Sequence, residues 1–276
     1  MKFVLEGLKN GTIQPDVLFE LIYGGGLKEF GIPLLRDFTG YSEDARRELI
    51  ELIISVKRED VCRDYVDYVF SATYSWSGCF DLFGFERSSV ELRTALIREM
   101  FLWKKWGVSV ISDNLYYKAA FGLIYYCSCD MFTFVSDMFE KYPKTWRKKI
   151  VKGMLATGQQ DQLEHFFGLA ISGINNSNKY SGNQKKLKRM TLLQEISRWQ
   201  RWGVDLSFMT KELRSVLSSF IVNGDASGFG GFLKESGIRL ERNLAVNLTD
   251  LVNHTNFKKL HRQKMFLDSI NKNLKQ

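Results

Sequence analysis

Arg93 to Val110 reads RTALIREMFLWKKWGVSV, and Arg189 to Leu206 reads RMTLLQEISRWQRWGVDL. At a constant offset of 96, seven of 18 positions are identical: Arg93/Arg189, Leu96/Leu192, Glu99/Glu195, Trp103/Trp199, Trp106/Trp202, Gly107/Gly203 and Val108/Val204. A Trp-x-x-Trp-Gly-Val string occurring twice in one chain marks an internal repeat. Each copy reads as a helix with a stop. The two tryptophans of a copy stand at i and i+3, on one helical face. Gly107 and Gly203 fall where a left-handed residue ends a helix, and Val108 and Val204 supply the apolar contact that accompanies such a cap. A buried tryptophan removes about 200 Å² from water, so the pairs are expected to be packing anchors. The competing reading is an exposed ring platform for a base or a sugar.

Fainter matches surround these anchors. Tyr41, Arg46 and Asp60 correspond to Tyr142, Arg147 and Asp161 at an offset of 101. Leu163 and Phe166 match Phe257 and Leu260 at an offset of 94. Periodicity between them is helical. In 43–56, Leu49, Ile53 and Val56 recur on one face, with Ser42 as N-cap and Glu43 and Asp44 in the first turn. Ser88-Ser89-Val90-Glu91 opens the next helix with a capping-box pattern. Residues 74–87 fit no element, and 173–188 (GINNSNKYSGNQKKLK) read as an exposed loop. No run alternates as a strand does. The expected fold is all-α: an α-solenoid of helical hairpins forming one elongated domain over 1–276. Its three related units would span about 1–87, 88–185 and 186–276, with longer joining helices at 88–106 and 186–202.

The hairpins resemble one another. Residues 116–143 place a turn at Ser128–Asp130, 151–172 place one at Gly158–Asp161, and 220–238 place a Gly-rich one. Met131 and Leu163, each just past a turn, are 32 residues apart. The turn ATGQQDQL (Ala156–Leu163) and this spacing resemble degenerate ankyrin repeats, although the Thr-Pro-Leu-His helix start of that family is absent. HEAT-like or tetratricopeptide-like pairing suits the same residues. The resemblance implies an α-solenoid that binds another macromolecule along a curved face.

Composition narrows the function classes. The chain has 276 residues, is 45% hydrophobic and carries a formal net charge of +8, which excludes a disordered chain. Residues 1–100 carry 12 Lys and Arg against 17 Asp and Glu, whereas 141–201 carry 13 against 3. No segment approaches the roughly 20 apolar residues of a membrane span. The N-terminus meets Glu6 early and lacks a signal-peptide core. Cys62, Cys79, Cys127 and Cys129 show no disulfide spacing. An intracellular, cytoplasmic location is expected.

Motifs for chemistry are scarce. His165, His254 and His261 form no metal pattern, and His165 reads as a half-buried structural residue. Cys127-x-Cys129 lacks the second pair of a zinc site. Tyr23-Gly24-Gly25-Gly26-Leu27 lacks the Lys-Ser/Thr of a phosphate loop and reads as a turn. Asp60, Asp64 and Asp67 share a helical face that could hold a divalent ion, but Arg58 and Arg63 favour ion pairs. No catalytic residue, cofactor or metal is assigned, and an enzyme is the third reading.

Basic clusters are the functional lead. Lys144, Arg147, Lys148 and Lys152 fall on one face of a predicted helix. Lys185, Lys186, Lys188 and Arg189 open the second joining helix, and Arg198 and Arg201 continue it. Lys258, Lys259, Arg262 and Lys264 add a further group. The leading expectation is a non-enzymatic scaffold or adaptor that binds a protein partner, with part of the aromatic content at an interface. The alternative is a nucleic-acid-binding solenoid that contacts the phosphate backbone through 141–201. The sequence leaves the oligomeric state open.

Overall fold

The computed structural model describes residues 38–74, 90–125, 137–177, 180–257 and 260–274, together with Val17, Phe19, Ile22 and Tyr23. The expected turns at Gly24–Gly26 and Ser128–Asp130 lie outside these residues. So do residues 75–89, Cys79, Cys127, Cys129, Lys258 and Lys259. The described residues are helical, with no strand; one isolated bridge joins Leu240 to Leu274. They contain the helices α1 (Glu43–Ser55), α2 (Asp60–Tyr74), α3 (Val90–Lys105), α4 (Asp113–Tyr125), α5 (Lys144–Ala156) and α6 (Gln160–Asn176). These are followed by α7 (Gly182–Gln200), α8 (Thr210–Val222), α9 (Ala226–Ser236), α10 (Arg242–His254) and α11 (Leu260–Lys272). Short 3-10 turns occupy Phe38–Gly40, Asp137–Lys141 and Ser207–Met209. The chain divides into two compact bodies, Met1–Gln159 and Gln160–Gln276.

The repeated stretches end as expected. Val108 N–H donates to the Trp103 carbonyl at 3.0 Å and Gly107 N–H to that of Lys104 at 3.2 Å. Val204 and Gly203 make the same bonds to Trp199 and Gln200, both at 3.1 Å. This is the Schellman pair, and Gly107 and Gly203 take φ of +103° and +106° to close it. Trp103 and Trp199 are fully buried, and Val108 and Val204 nearly so. Trp202 is buried too, but Trp106 is half-exposed and anchors less.

The fainter match proves equally physical. Arg46 donates to the Tyr41 carbonyl and lies 5.7 Å from the Phe38 ring centre. Arg147 donates to the Tyr142 carbonyl at 3.1 Å and lies 5.9 Å from Phe139. Each arginine thus folds back over an aromatic residue of the preceding 3-10 turn. The pairing of Leu163 and Phe166 with Phe257 and Leu260 fails, because Leu260 is 83% exposed while both α6 residues are buried.

Local signals set the helix bounds. Ser42 Oγ accepts from Ala45 N–H and starts α1. Residues 173–188 are not the loop their composition suggests. Here α6 runs to Asn176, and α7 begins at Gly182 behind a capping box made by Ser181 and Gln184. Polar residues on the solvent side of two helix ends imitate a loop in composition.

The N-terminal body is built around α4, which packs on α2, α3 and α5. Eight of its thirteen residues are buried, from Tyr116 to Tyr125, as a helix covered on several sides requires. Gly153 in α5 makes the α4 contact close: a Cβ there would stand 2.2 Å from the Tyr117 ring. Beside it, Phe19, Tyr23, Phe38, Tyr65 and Trp103 form an aromatic cluster. Glu99 lies within it, accepting from Tyr23 Oη at 2.6 Å and from Arg46 Nε at 2.9 Å. Trp103 Nε1 donates to Tyr23 Oη at 3.1 Å. Burial first, then the Glu99 carboxylate, hold the Tyr23 phenol well above its usual pKa. In the C-terminal body α9 packs on α7, α8 and α11, and α10 on α8 and α11. Phe220, Phe229, Phe232 and Phe266 fill its centre.

A basic and aromatic groove as candidate functional site

The cations of α5 divide by side. Lys144, Lys148, Lys149 and Lys152 are exposed, and none is in an ion pair among the described residues. Arg147 is the exception. It is 6% exposed and held by Tyr142 and Phe139, so the structure removes it from the expected stripe. The helix has Pro143 at its N-cap and no acid in its first turn. Lys144 therefore sits at the positive end of the helix dipole, where a cation costs about 0.3–1 kcal/mol. These lysines are not placed to stabilise the helix.

One side of α5 meets α3 and α4 in a groove. Arg98 of α3 lies 5.1 Å from the Trp146 ring centre of α5, and Lys149 of α5 lies 4.7 Å from Phe101 of α3. Each helix contributes one ring and one cation three residues apart, so the two helices clasp reciprocally. Between them lies a cavity of about 290 Å³. Ile97, Leu102 and Ile150 line its apolar wall, with Tyr116 of α4 beside them. Phe101 is 46% exposed, an unusual state for so large an apolar ring. Burial, and then neighbouring Tyr117, push the Tyr116 phenol up to about 12. The walls are apolar and the rim is cationic. Such a site suits a large apolar group attached to negative charge.

The second basic group lies in the C-terminal body and is largely engaged there. Lys185 Nζ donates to the Asn175 carbonyl at 2.8 Å, and Arg189 Nε to that of Lys185 at 3.4 Å. Lys186 stands over Phe220 and Lys188 over Tyr180. Arg198 pairs with buried Glu195 at 2.9 Å. Arg201 is exposed and reaches the Gly237 turn closely enough to meet a Cβ built there. Arg262 and Lys264 are exposed on α11.

The remaining candidates have ordinary surroundings. Arg58 pairs with Asp60 at 3.1 Å and Arg63 with Asp67 at 3.5 Å, as the ion-pair reading expects. His165 is exposed, not half-buried. Cys62 is buried, and burial raises its thiol pKa. Among the described residues no three His, Cys, Asp or Glu side chains gather as a metal site, and no helix is long and apolar enough to cross a membrane.

Sequence reasoning reached the exposed Lys144, Lys148 and Lys152 of α5, which do not line the groove, and missed its lining residues Arg98, Phe101, Trp146 and Lys149. The clasp joins helices whose pairing no local pattern announces. Comparison with protein-family models, with curated proteins and with solved structures gives no match. The groove therefore carries the functional argument alone.

Proposed function

We propose that the chain is a non-enzymatic helical-repeat scaffold that binds a protein partner through the α3–α4–α5 groove. The observation that carries this reading is the groove itself: an apolar cavity bordered by exposed Phe101, half-exposed Trp146 and two cations. Aromatic residues and arginine in pockets are what dominate protein interfaces. The scaffold part of the proposal is an α-solenoid of three related units. In its support, α1, α5 and α10 start at Glu43, Lys144 and Arg242, each with 13 residues. Likewise α2, α6 and α11 start at Asp60, Gln160 and Leu260. An intracellular location belongs to the same proposal.

A nucleic-acid reading has one observation in its favour: Lys144, Lys148 and Lys152 lie along a helix that has no acidic residue. Against it, a cation already covers a face of both Phe101 and Trp146, so a base would have to displace it to stack.

The test is affinity capture from nuclease-treated extract, with wild-type protein beside Phe101→Glu. The reading expects a protein retained by wild type after nuclease treatment and lost by the variant. Capture abolished by nuclease, or indifferent to Phe101→Glu, would contradict it. Charge reversal at Lys148, Lys152, Lys186 and Arg189, with a salt titration on RNA and duplex DNA, tests the second reading.

A further inference from the structure

The internal repeat supplies its own control for the groove. At the offset of 101 that relates α1 to α5, the buried positions keep their character: Arg46/Arg147, Leu49/Ile150, Ile50/Val151 and Ile53/Met154. Three exposed positions reverse their charge, whereas Arg47 and Lys148 keep it. Glu43, Glu48 and Glu51 of α1 stand where α5 has Lys144, Lys149 and Lys152. At the offset of 96 that relates α3 to α7, Arg93, Glu99 and Trp103 are kept, but Arg98 and Phe101 become Gln194 and Ser197. The fold thus needs the anchors and does not need the clasp. The clasp and the charge at Lys144, Lys149 and Lys152 have no counterpart at these matching positions.

We propose that this groove takes an acidic segment of the partner protein, one large apolar side chain entering the cavity and carboxylates meeting Arg98 and Lys149 at its rim and Lys152 one turn beyond. The proposal rests on the protein-binding reading above and adds the chemistry of the partner. Three features fix that chemistry. A cavity of about 290 Å³ lies at the small end of ligand pockets, so it takes an anchoring side chain and not a folded surface. Arg98 and Lys149 make the rim positive, which repels a basic segment and steers an acidic one. Lys152, exposed and three residues beyond Lys149, stands about 4.5 Å further along α5 and adds a second cation beside the rim.

A displayed library of random dodecapeptides is selected on wild-type protein and counter-selected on Lys149→Glu/Lys152→Glu. Both substitutions are on the surface, and circular dichroism checks that the variant folds. The expected survivors are acidic and carry Leu, Phe or Trp. Changing that residue to Ala weakens binding about tenfold or more at any salt, while the charge contribution fades as salt rises. Survivors that are neutral or basic overturn the acidic assignment and leave the protein-binding reading standing. No survivors, together with tight binding of a single-stranded oligouridine that Lys149→Glu/Lys152→Glu abolishes, overturns both. Salt-sensitive self-association that blocks selection, relieved by Glu48→Lys, assigns the groove to a second copy and also overturns the proposal. An empty selection without either of these behaviours overturns it too.

Discussion

Arg46 and Glu99 form a buried ion pair inside an aromatic cluster, and both are nearly inaccessible. Removing one partner strands a charge away from water. Arg46→Met or Glu99→Leu alone is expected to cost about 3–5 kcal/mol in urea unfolding, and the double replacement to recover much of it. Additive losses would contradict this account of the pair. The tyrosines give a pH signature. Tyr23, Tyr65 and Tyr116 have pKa values raised above 10.0, chiefly by burial. A phenol raised in the folded state stabilises fully below its unfolded pKa and loses that contribution as pH climbs through the folded one. Stability is therefore expected to fall from pH 10.0 towards about 12, and Tyr116→Phe should flatten part of that slope. An unchanged slope would refute the assignment. At this scale the sequence was half legible. Arg147 looked like a member of the lysine row because it sits among lysines. Its helical angle differs, though: Lys148 and Lys152 advance about 40° per step from Lys144, whereas Arg147 falls about 60° to the other side. Its match to Arg46 was the signal that it belongs inside.

Helix ends and close approaches govern the elements. Gly107 and Gly203 hold positive φ at matching caps. Replacing either with Val forces a branched side chain into that region and is expected to cost about 1–3 kcal/mol, read by thermal or urea unfolding. Wild-type stability in both variants would remove the cap argument. Gly153→Ala drives a methyl group into Tyr117 and should destabilise by about 1–3 kcal/mol, the usual cost of overpacking. It should also loosen α5 from α4, so that the groove loses affinity along with stability. Caps and amphipathic faces were readable because they are local: Ser42 and the Trp-Gly-Val strings placed α1 and the ends of α3 and α7. The start of α7 was hidden because Ser181 and Gln184 form their capping box inside a run of polar residues.

Across the whole molecule, the repeated stretches place the same tryptophan in each of two cores. Trp103 and Trp199 are spent on packing, not on recognition. The copies differ at the clasp of Arg98, Phe101, Trp146 and Lys149, and the proposed recognition is assigned to that clasp. No local pattern predicts it, since it requires α3 and α5 to come together over α4. The imbalance of charge along the chain was visible, but its meaning depends on which residues are exposed. The most direct measurement follows from this contrast. The partner protein recovered from nuclease-treated extract is titrated calorimetrically into wild type, into Phe101→Glu/Lys149→Glu, and into Glu48→Lys, which alters the matching surface of the other copy. The account predicts wild-type affinity for Glu48→Lys and a loss of about a hundredfold or more for the groove variant. Equal affinity for all three proteins would contradict it.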